Sequence, residues 1–377
     1  MGLQIFWFIV IAFFWTGFFI LEGFDLGVGA LHMVVGKTDI ERRVAINSIG
    51  PFWDGNEVWL IVAGAGMFAA FPNWYASMFS ALYLALMLVI LALIIRGLSF
   101  EYRGKVASPR WREMWSWLLT IGSVLLPVLL GVALGDLLHG LPINKNGDYT
   151  GSFIDLLQPY GLWVGVTLLA ITLAHGAMYL SIKTTGTVQQ RSQRLAGTLS
   201  WIAVPFVVGF AIWTHILSGR GVIPGFLNIA AILLVIGAAW AVREGHGGWG
   251  FAATTATMGS SVASLFVALY PNVFVSTTNK SYNITVANSA SGSYALTVMT
   301  VVAVIFAPLV IAYQAWSYHV FRGRIRGPAV EAGDAGGATA APSAAGTAAT
   351  PPGPGPEAAP ASSGPESQAG PPGDGAA

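Results

Sequence analysis

Four carboxylates stand in otherwise apolar stretches of the chain, in two pairs of identical spacing. Glu22 and Asp25 lie in Leu21-Glu22-Gly23-Phe24-Asp25-Leu26-Gly27, and Asp54 and Glu57 in Trp53-Asp54-Gly55-Asn56-Glu57-Val58-Trp59. A separation of three residues puts both members of a pair on one helix face. An acid at the centre of a membrane helix costs about 2.5–3.5 kcal/mol, so four ionised together would approach roughly 10 kcal/mol. They must therefore be protonated, paired, or turned toward water or another subunit. A row of carboxyls that exchange protons inside a membrane is what a proton relay requires. The plainer alternative makes Asp54 and Glu57 early-turn acids of a helix begun by Pro51, where they complement its dipole, and pairs Glu22 and Asp25 with Arg42 or Arg43. The residues alone leave both readings open.

Other polar residues are less telling. Of the six histidines (His32, His139, His175, His215, His246, His319), only His175 falls well inside an apolar run, so bis-histidine haem ligation has no clear pair. Arg96 closes an apolar run and suits either snorkelling to an interface or pairing with a core acid. Gly23 and Gly27 form a small-xxx-small motif, and Gly64 and Gly66 lighten a second segment, which points to close helix packing rather than a nucleotide loop. Most of the 14 tryptophans fit an interfacial belt, but Trp53 and Trp59 flank the acids.

The elements that must position these residues follow from composition. The 377 residues are 55% hydrophobic and only 9% charged, with a net charge of +1 and no cysteine. A soluble domain carries about 25% charge, so this is a membrane protein. There is no basic surplus for nucleic acid, and disulfides, iron–sulfur ligation and cysteine nucleophiles are excluded. Apolar runs near 20 residues are helices, not barrel strands. The expected fold is an all-α polytopic bundle of nine transmembrane helices, in the windows 4–35, 50–71, 74–100, 112–139, 159–182, 195–217, 222–242, 249–271 and 294–320. No base precedes Lys37, so the first run lacks the start of a cleavable signal peptide and is expected to be retained. Bases concentrate in the odd-numbered connections and after the last span, while the even-numbered ones hold Lys145, Arg220 and Lys280. That bias puts the N-terminus outside and the C-terminus in the cytoplasm. Thr38 and Glu41 spell a capping box opening a short interfacial helix. Residues 1–325 form the membrane domain, and 326–377, rich in Ala, Pro and Gly, a disordered cytoplasmic tail.

The motifs themselves carry a family resemblance. Gly23-Phe24-Asp25-Leu26-Gly27-Val28-Gly29, Glu41-Arg42-Arg43, Ile46-Asn47-Ser48-Ile49-Gly50-Pro51 and Trp53-Asp54-Gly55-Asn56-Glu57-Val58-Trp59-Leu60 resemble subunit II of the cytochrome bd quinol oxidases. Phe68-Ala69-Ala70-Phe71-Pro72, Arg96-Gly97, Phe100-Glu101-Tyr102-Arg103 and Ala295-Leu296-Thr297 extend the match to about residue 325. The resemblance implies a haem-free subunit of a bacterial plasma-membrane enzyme that oxidises quinol and reduces O2 to water. Haem b and haem d would sit in a haem-bearing partner, subunit I. No catalytic residue, metal or cofactor is assigned to this chain, and membrane lipid and small accessory subunits complete the expected surroundings. By the same resemblance Asp54 belongs to a proton route, Asp25 lies close to it, Glu22 and Glu57 shape it, and Trp59 borders an oxygen path. A proton-coupled transporter is the competing class, since intramembrane acids and interrupted helices suit that work too; a purely structural scaffold is a third.

Overall fold

The computed structural model describes residues 2–219 and 222–326. The stretch expected to be a tail lies, beyond Arg326, outside the described residues. Helices α1 (Gly2–Val35), α2 (Asp39–Ile49), α3 (Trp53–Ala70), α4 (Pro72–Ala81), α5 (Tyr83–Tyr102), α6 (Pro109–His139), α7 (Pro159–Lys183), α8 (Gly186–Ser218), α9 (Val222–Arg243) and α10 (Gly247–Leu269) follow in order. A small antiparallel pair, β1 (Asn272–Phe274) and β2 (Ile284–Thr285), the short α11 (Val286–Ser289) and the long α12 (Ser293–Val320) complete the described chain. Helices dominate because a lipid-embedded segment must satisfy its backbone internally.

Among the described residues, eight helices are long and apolar enough to cross a membrane. The 18-residue α3 is not among them, because Asp54, Asn56 and Glu57 load its first two turns with polar groups. The third expected span, 74–100, is not one helix. It divides at Leu82 (φ −94°, ψ 15°) into α4 and α5, with Pro72 opening α4 at a position where its missing N–H costs nothing. Pro127, Pro205 and Pro308 sit inside α6, α8 and α12 as expected.

The core is built on α1, whose second half is almost wholly buried. Its close crossing with α7 is made by glycine. A Cβ at Gly27 would lie 2.2 Å from the Thr172 carbonyl oxygen, and one at Gly176 would lie 2.4 Å from the Gly27 carbonyl carbon. A second such crossing joins α6 and α7, where a Cβ at Gly131 or Gly135 would meet Gly165 or Gly161 backbone at 2.6 and 2.7 Å. In lipid, backbone proximity of this kind replaces the hydrophobic drive that packs soluble helices.

One end of the bundle is tied by ion pairs. The capping box at Thr38 and Glu41 forms as expected. Burial pushes the Glu41 carboxyl up, but hydrogen bonds from Thr187, the Lys37 amide, Arg191 and the Thr38 amide outweigh it and bring it down to about 2. Asp39 pairs with Arg103 at 2.5 Å and Arg112 at 3.1 Å, and Arg42 with Glu113 at 2.5 Å.

The glycine crossing generates a test. Gly27→Val is expected to cost at least the 1–3 kcal/mol of an overpacked core, read as a lower thermal midpoint of the purified complex. Gly23→Ala, whose new carbon would meet the flexible Met258 Cε at 3.3 Å and His175 Cδ2 at an ordinary 3.8 Å, is expected to be nearly silent. Equal loss from both would remove the crossing as the cause.

Candidate functional site

The site begins with a charge that has no route to water. Arg96, on α5, is fully buried. Its guanidinium lies 5.2 Å from the Phe100 ring centroid, and that ring stacks on Trp53 at 4.7 Å. Nη2 meets Glu22 Oε1 at 2.5 Å, as an ion contact rather than an aligned hydrogen bond, and Nη1 donates to Glu57 Oε1. The sequence left Arg96 between snorkelling and pairing; the structure decides for pairing. It also corrects the alternative partners of the α1 acids, since Arg42 is taken by Glu113 and Arg43 is exposed. Close approach of α6 at Gly122, where a Cβ would lie 2.9 Å from the Ala92 carbonyl oxygen, seals the arginine from behind.

Asp25 is likewise fully buried, one helical turn from Glu22. Its Oδ2 accepts a 2.6 Å hydrogen bond from Asn56 Nδ2, while Oδ1 has no partner. Asn56 Oδ1 in turn accepts from Gln314 Nε2 at 2.8 Å and from the Tyr318 hydroxyl at 2.9 Å, and Gln314 Oε1 accepts from Trp59 Nε1 at 2.7 Å. The direction of this row is set by chemistry. An indole N–H only donates, so Gln314 must present its oxygen to Trp59 and its nitrogen to Asn56, which leaves Asn56 to donate to Asp25. A proton on Asp25 therefore resides on Oδ1.

Three of the four expected acids thus gather about one guanidinium. A buried guanidinium requires a carboxylate beside it: Glu22 supplies a fully buried one and Glu57 one whose side chain is 20% exposed, while Asp25 sits one turn from Glu22. Asp54 does not join them. It is exposed in the first turn of α3 and makes no hydrogen bond or ion pair among the described residues. Tertiary packing separates it: α3 turns Asn56 inward against α1, which leaves Asp54 on the outer side of the same turn.

Trp59 is half-buried against Phe13 and Phe14, at ring distances of 5.6 and 5.5 Å. Its seat exists because residue 17 is glycine; a Cβ there would lie 2.4 Å from the indole. The ring borders an apolar cavity of about 470 Å³ between α1, α3 and α12, lined among others by Trp7, Phe14, Val58, Phe306 and Gln314.

Several residues at the site had no role in the sequence reading. Asn56 stood within the acid motif, and its position between two acids was its only signal. Gln314 and Tyr318 belong to α12, some 260 positions away, and nothing local reveals their partner. Away from the site, Asp136 on α6 is fully buried beside Gly161, with neither oxygen hydrogen-bonded.

His175, the histidine deepest in a span, has no free nitrogen for a haem iron. Both ring nitrogens of His175 are engaged, Nδ1 with Thr254 Oγ1 at 2.8 Å and Nε2 with the Ile20 carbonyl at 3.3 Å, and the ring stacks on Phe251. His32 holds the Gly29 carbonyl at 2.7 Å. Neither lines the cavity beside Trp59 nor the second apolar one, of about 360 Å³, between α1, α3, α5 and α6.

Comparison with known proteins places this arrangement. The family model described as cytochrome bd terminal oxidase subunit II matches residues 3–321. The chain belongs to the cytochrome bd oxidase subunit II family. It is 40% identical over 323 residues to cytochrome bd ubiquinol oxidase subunit 2 of Bacillus subtilis (strain 168), covering 85% of this chain and 96% of that protein. It is 33% identical over 366 residues to cytochrome bd-I ubiquinol oxidase subunit 2 of Escherichia coli (strain K12), covering 87% and 97%. A chain of the bd oxidase from Geobacillus thermodenitrificans shares the fold, with a TM-score of 0.63, 16% identity and coverage of 85% and 99%. As a subunit II of this family, the chain is a multi-pass bacterial membrane protein and part of a quinol oxidase, an oxidoreductase. Nothing among these relatives favours a transporter.

For a bd subunit II, the buried arginine carries a stability prediction. Arg96→Gln strands buried carboxylates and is expected to cost about 3–5 kcal/mol, seen as reduced recovery and a lower thermal midpoint of the oxidase. Adding Glu22→Gln should restore part of the loss. A single variant as stable as the parent would show that the guanidinium holds nothing together.

Proposed function

We propose that this chain is the haem-free subunit of the oxidase and the carrier of its proton entry. The observation behind this is an exposed acid, Asp54, one helical turn before the partly exposed Glu57, whose partner Arg96 also holds the buried Glu22, with Asp25 one turn further along α1. Protons taken up to make water enter at Asp54, while Glu22, Asp25 and Glu57 shape the path. Haem b and haem d belong to subunit I, and in this chain His175 has both ring nitrogens engaged. In the proposed topology, α3 and the α4–α5 unit each count as one pass. The membrane domain of residues 1–325 then has nine passes, with the N-terminus outside and both the C-terminus and the 326–377 tail in the cytoplasm. Quinol oxidation toward the outer face with proton uptake from the inner one separates charge without a pump. The exposed apolar faces of α3, α5 and α12 suit subunit I, lipid and small accessory subunits.

Asp54→Asn tests the entry point. In the intact oxidase it is expected to lower quinol-oxidase turnover and proton uptake together by about tenfold or more, as loss of a proton-transfer group does. Unchanged turnover and uptake would remove Asp54 from the route.

Oxygen access is assigned to the apolar cavity beside Trp59, because a nonpolar gas partitions into such a space and the indole forms its wall. Trp59→Leu is expected to change the oxygen concentration for half-maximal rate by severalfold while the rate at saturating oxygen holds. An identical oxygen dependence would place the path elsewhere.

A further inference from the structure

Away from the acid cluster, the α7–α8 and α9–α10 turns carry two adjoining polar grooves. One, of about 410 Å³, is lined by Gln190, Gln193, Arg194, Gly197, Val242 and Arg243. The other, of about 540 Å³, shares Gln193 and adds Ser181, His246, Trp249 and Arg324. What sets their guanidiniums apart is that they line grooves without an acid partner; among the described residues Arg43, Arg110, Arg322 and Arg326 also lack one but line neither groove. Arg42, Arg96, Arg103, Arg112 and Arg191 each reach a carboxylate, whereas Arg194, Arg243 and Arg324 reach none among the described residues. The segment 183–194 contains no acid, and 243–248 only Glu244, which lines neither groove. Three cations thus face open grooves with no counter-charge from the described residues.

The surroundings say what supplies that charge. Trp201, Trp240 and Trp249 are exposed by 42, 64 and 75%, and the Arg243 guanidinium lies 5.5 Å from the Trp201 centroid. Exposed indoles at helix ends mark headgroup depth in a bilayer, and basic pockets between helix ends at that depth suit lipid phosphates. Ile182, Val242 and Ala252 give the grooves apolar walls against which glycerol and the first methylenes can lie. Guanidinium forks match phosphate oxygens better than a hydrated ammonium would.

We propose that these paired grooves bind the phosphodiester headgroup of an anionic phospholipid, held by Arg194, Arg243 and Arg324. The site is separate from the proton and oxygen paths and does not rest on them.

Native mass spectrometry of the intact oxidase, exchanged into detergent with phosphatidylcholine and titrated with phosphatidylglycerol, reads the proposal directly. Phosphatidylglycerol should be retained against excess phosphatidylcholine. The triple variant Arg194→Gln, Arg243→Gln, Arg324→Gln should weaken it by about fivefold for each guanidinium removed. Should the triple variant fail to assemble, Arg324→Gln alone, at an exposed position, should give the single step. Undiminished retention in the variants, or equal retention of phosphatidylcholine, overturns the proposal. Displacement by inorganic phosphate at the lipid's own concentration also overturns it, by identifying a free-anion site.

Discussion

A guanidinium sealed from water is the constraint around which the rest of this subunit is arranged. Arg96 is fully buried, and an uncompensated buried charge is not tolerated, so α1 must bring Glu22 and α3 must bring Glu57 to it. That demand fixes how α1, α3 and α5 meet. It also sets the depth of Asp25, one turn beyond Glu22, and hence of Asn56 opposite it. Glycines at 27, 122 and 176 then allow the backbones to come as close as the buried polar groups require.

Polar contacts also explain how α12 is held. This helix buries little of its surface and presents a broad apolar face outward. It is fastened along its length instead: Trp7 donates to the Leu296 carbonyl and to Thr300, Gln314 and Tyr318 both donate to Asn56, and Lys183 donates to the Phe321 carbonyl. In hydrocarbon, apolar area gives helices no reason to associate, while interhelical hydrogen bonds do. A helix bound in this way keeps its outer face free for a protein partner or lipid. The same bonds make α12 part of the site, because Gln314 fixes both the Trp59 indole and the Asn56 amide.

The titratable groups inside the bundle are held in two different ways. His175 spends both ring nitrogens on Thr254 and Ile20, and His32 holds the Gly29 carbonyl through Nδ1 alone. Carboxyls instead meet a fixed cation, Glu22 and Glu57 on Arg96 with Asp25 one turn away. At the ion-paired end, Glu41, Asp39 and Glu113 anchor α2 to the starts of α6 and α8, which stiffens the chain between the two acid-bearing helices.

Much of this was legible in the sequence, for reasons that are local. Apolar runs of membrane length announce helices, Thr38 and Glu41 announce the start of α2, and the twin three-residue spacings place two acids on each of two helix faces. The motifs around Asp25 and Asp54 were enough to indicate the family. What only the tertiary structure decided was which polar groups meet. The break at Leu82 carries no proline or glycine to announce it. Arg96 finds Glu22 across 74 positions and Gln314 finds Asn56 across 258, while Asp54, three residues from Glu57, is left outside. Helical periodicity fixes the face a residue occupies on its own element. Which face meets which is set by packing among many helices at once, and in a membrane by the requirement that every buried charge find its partner.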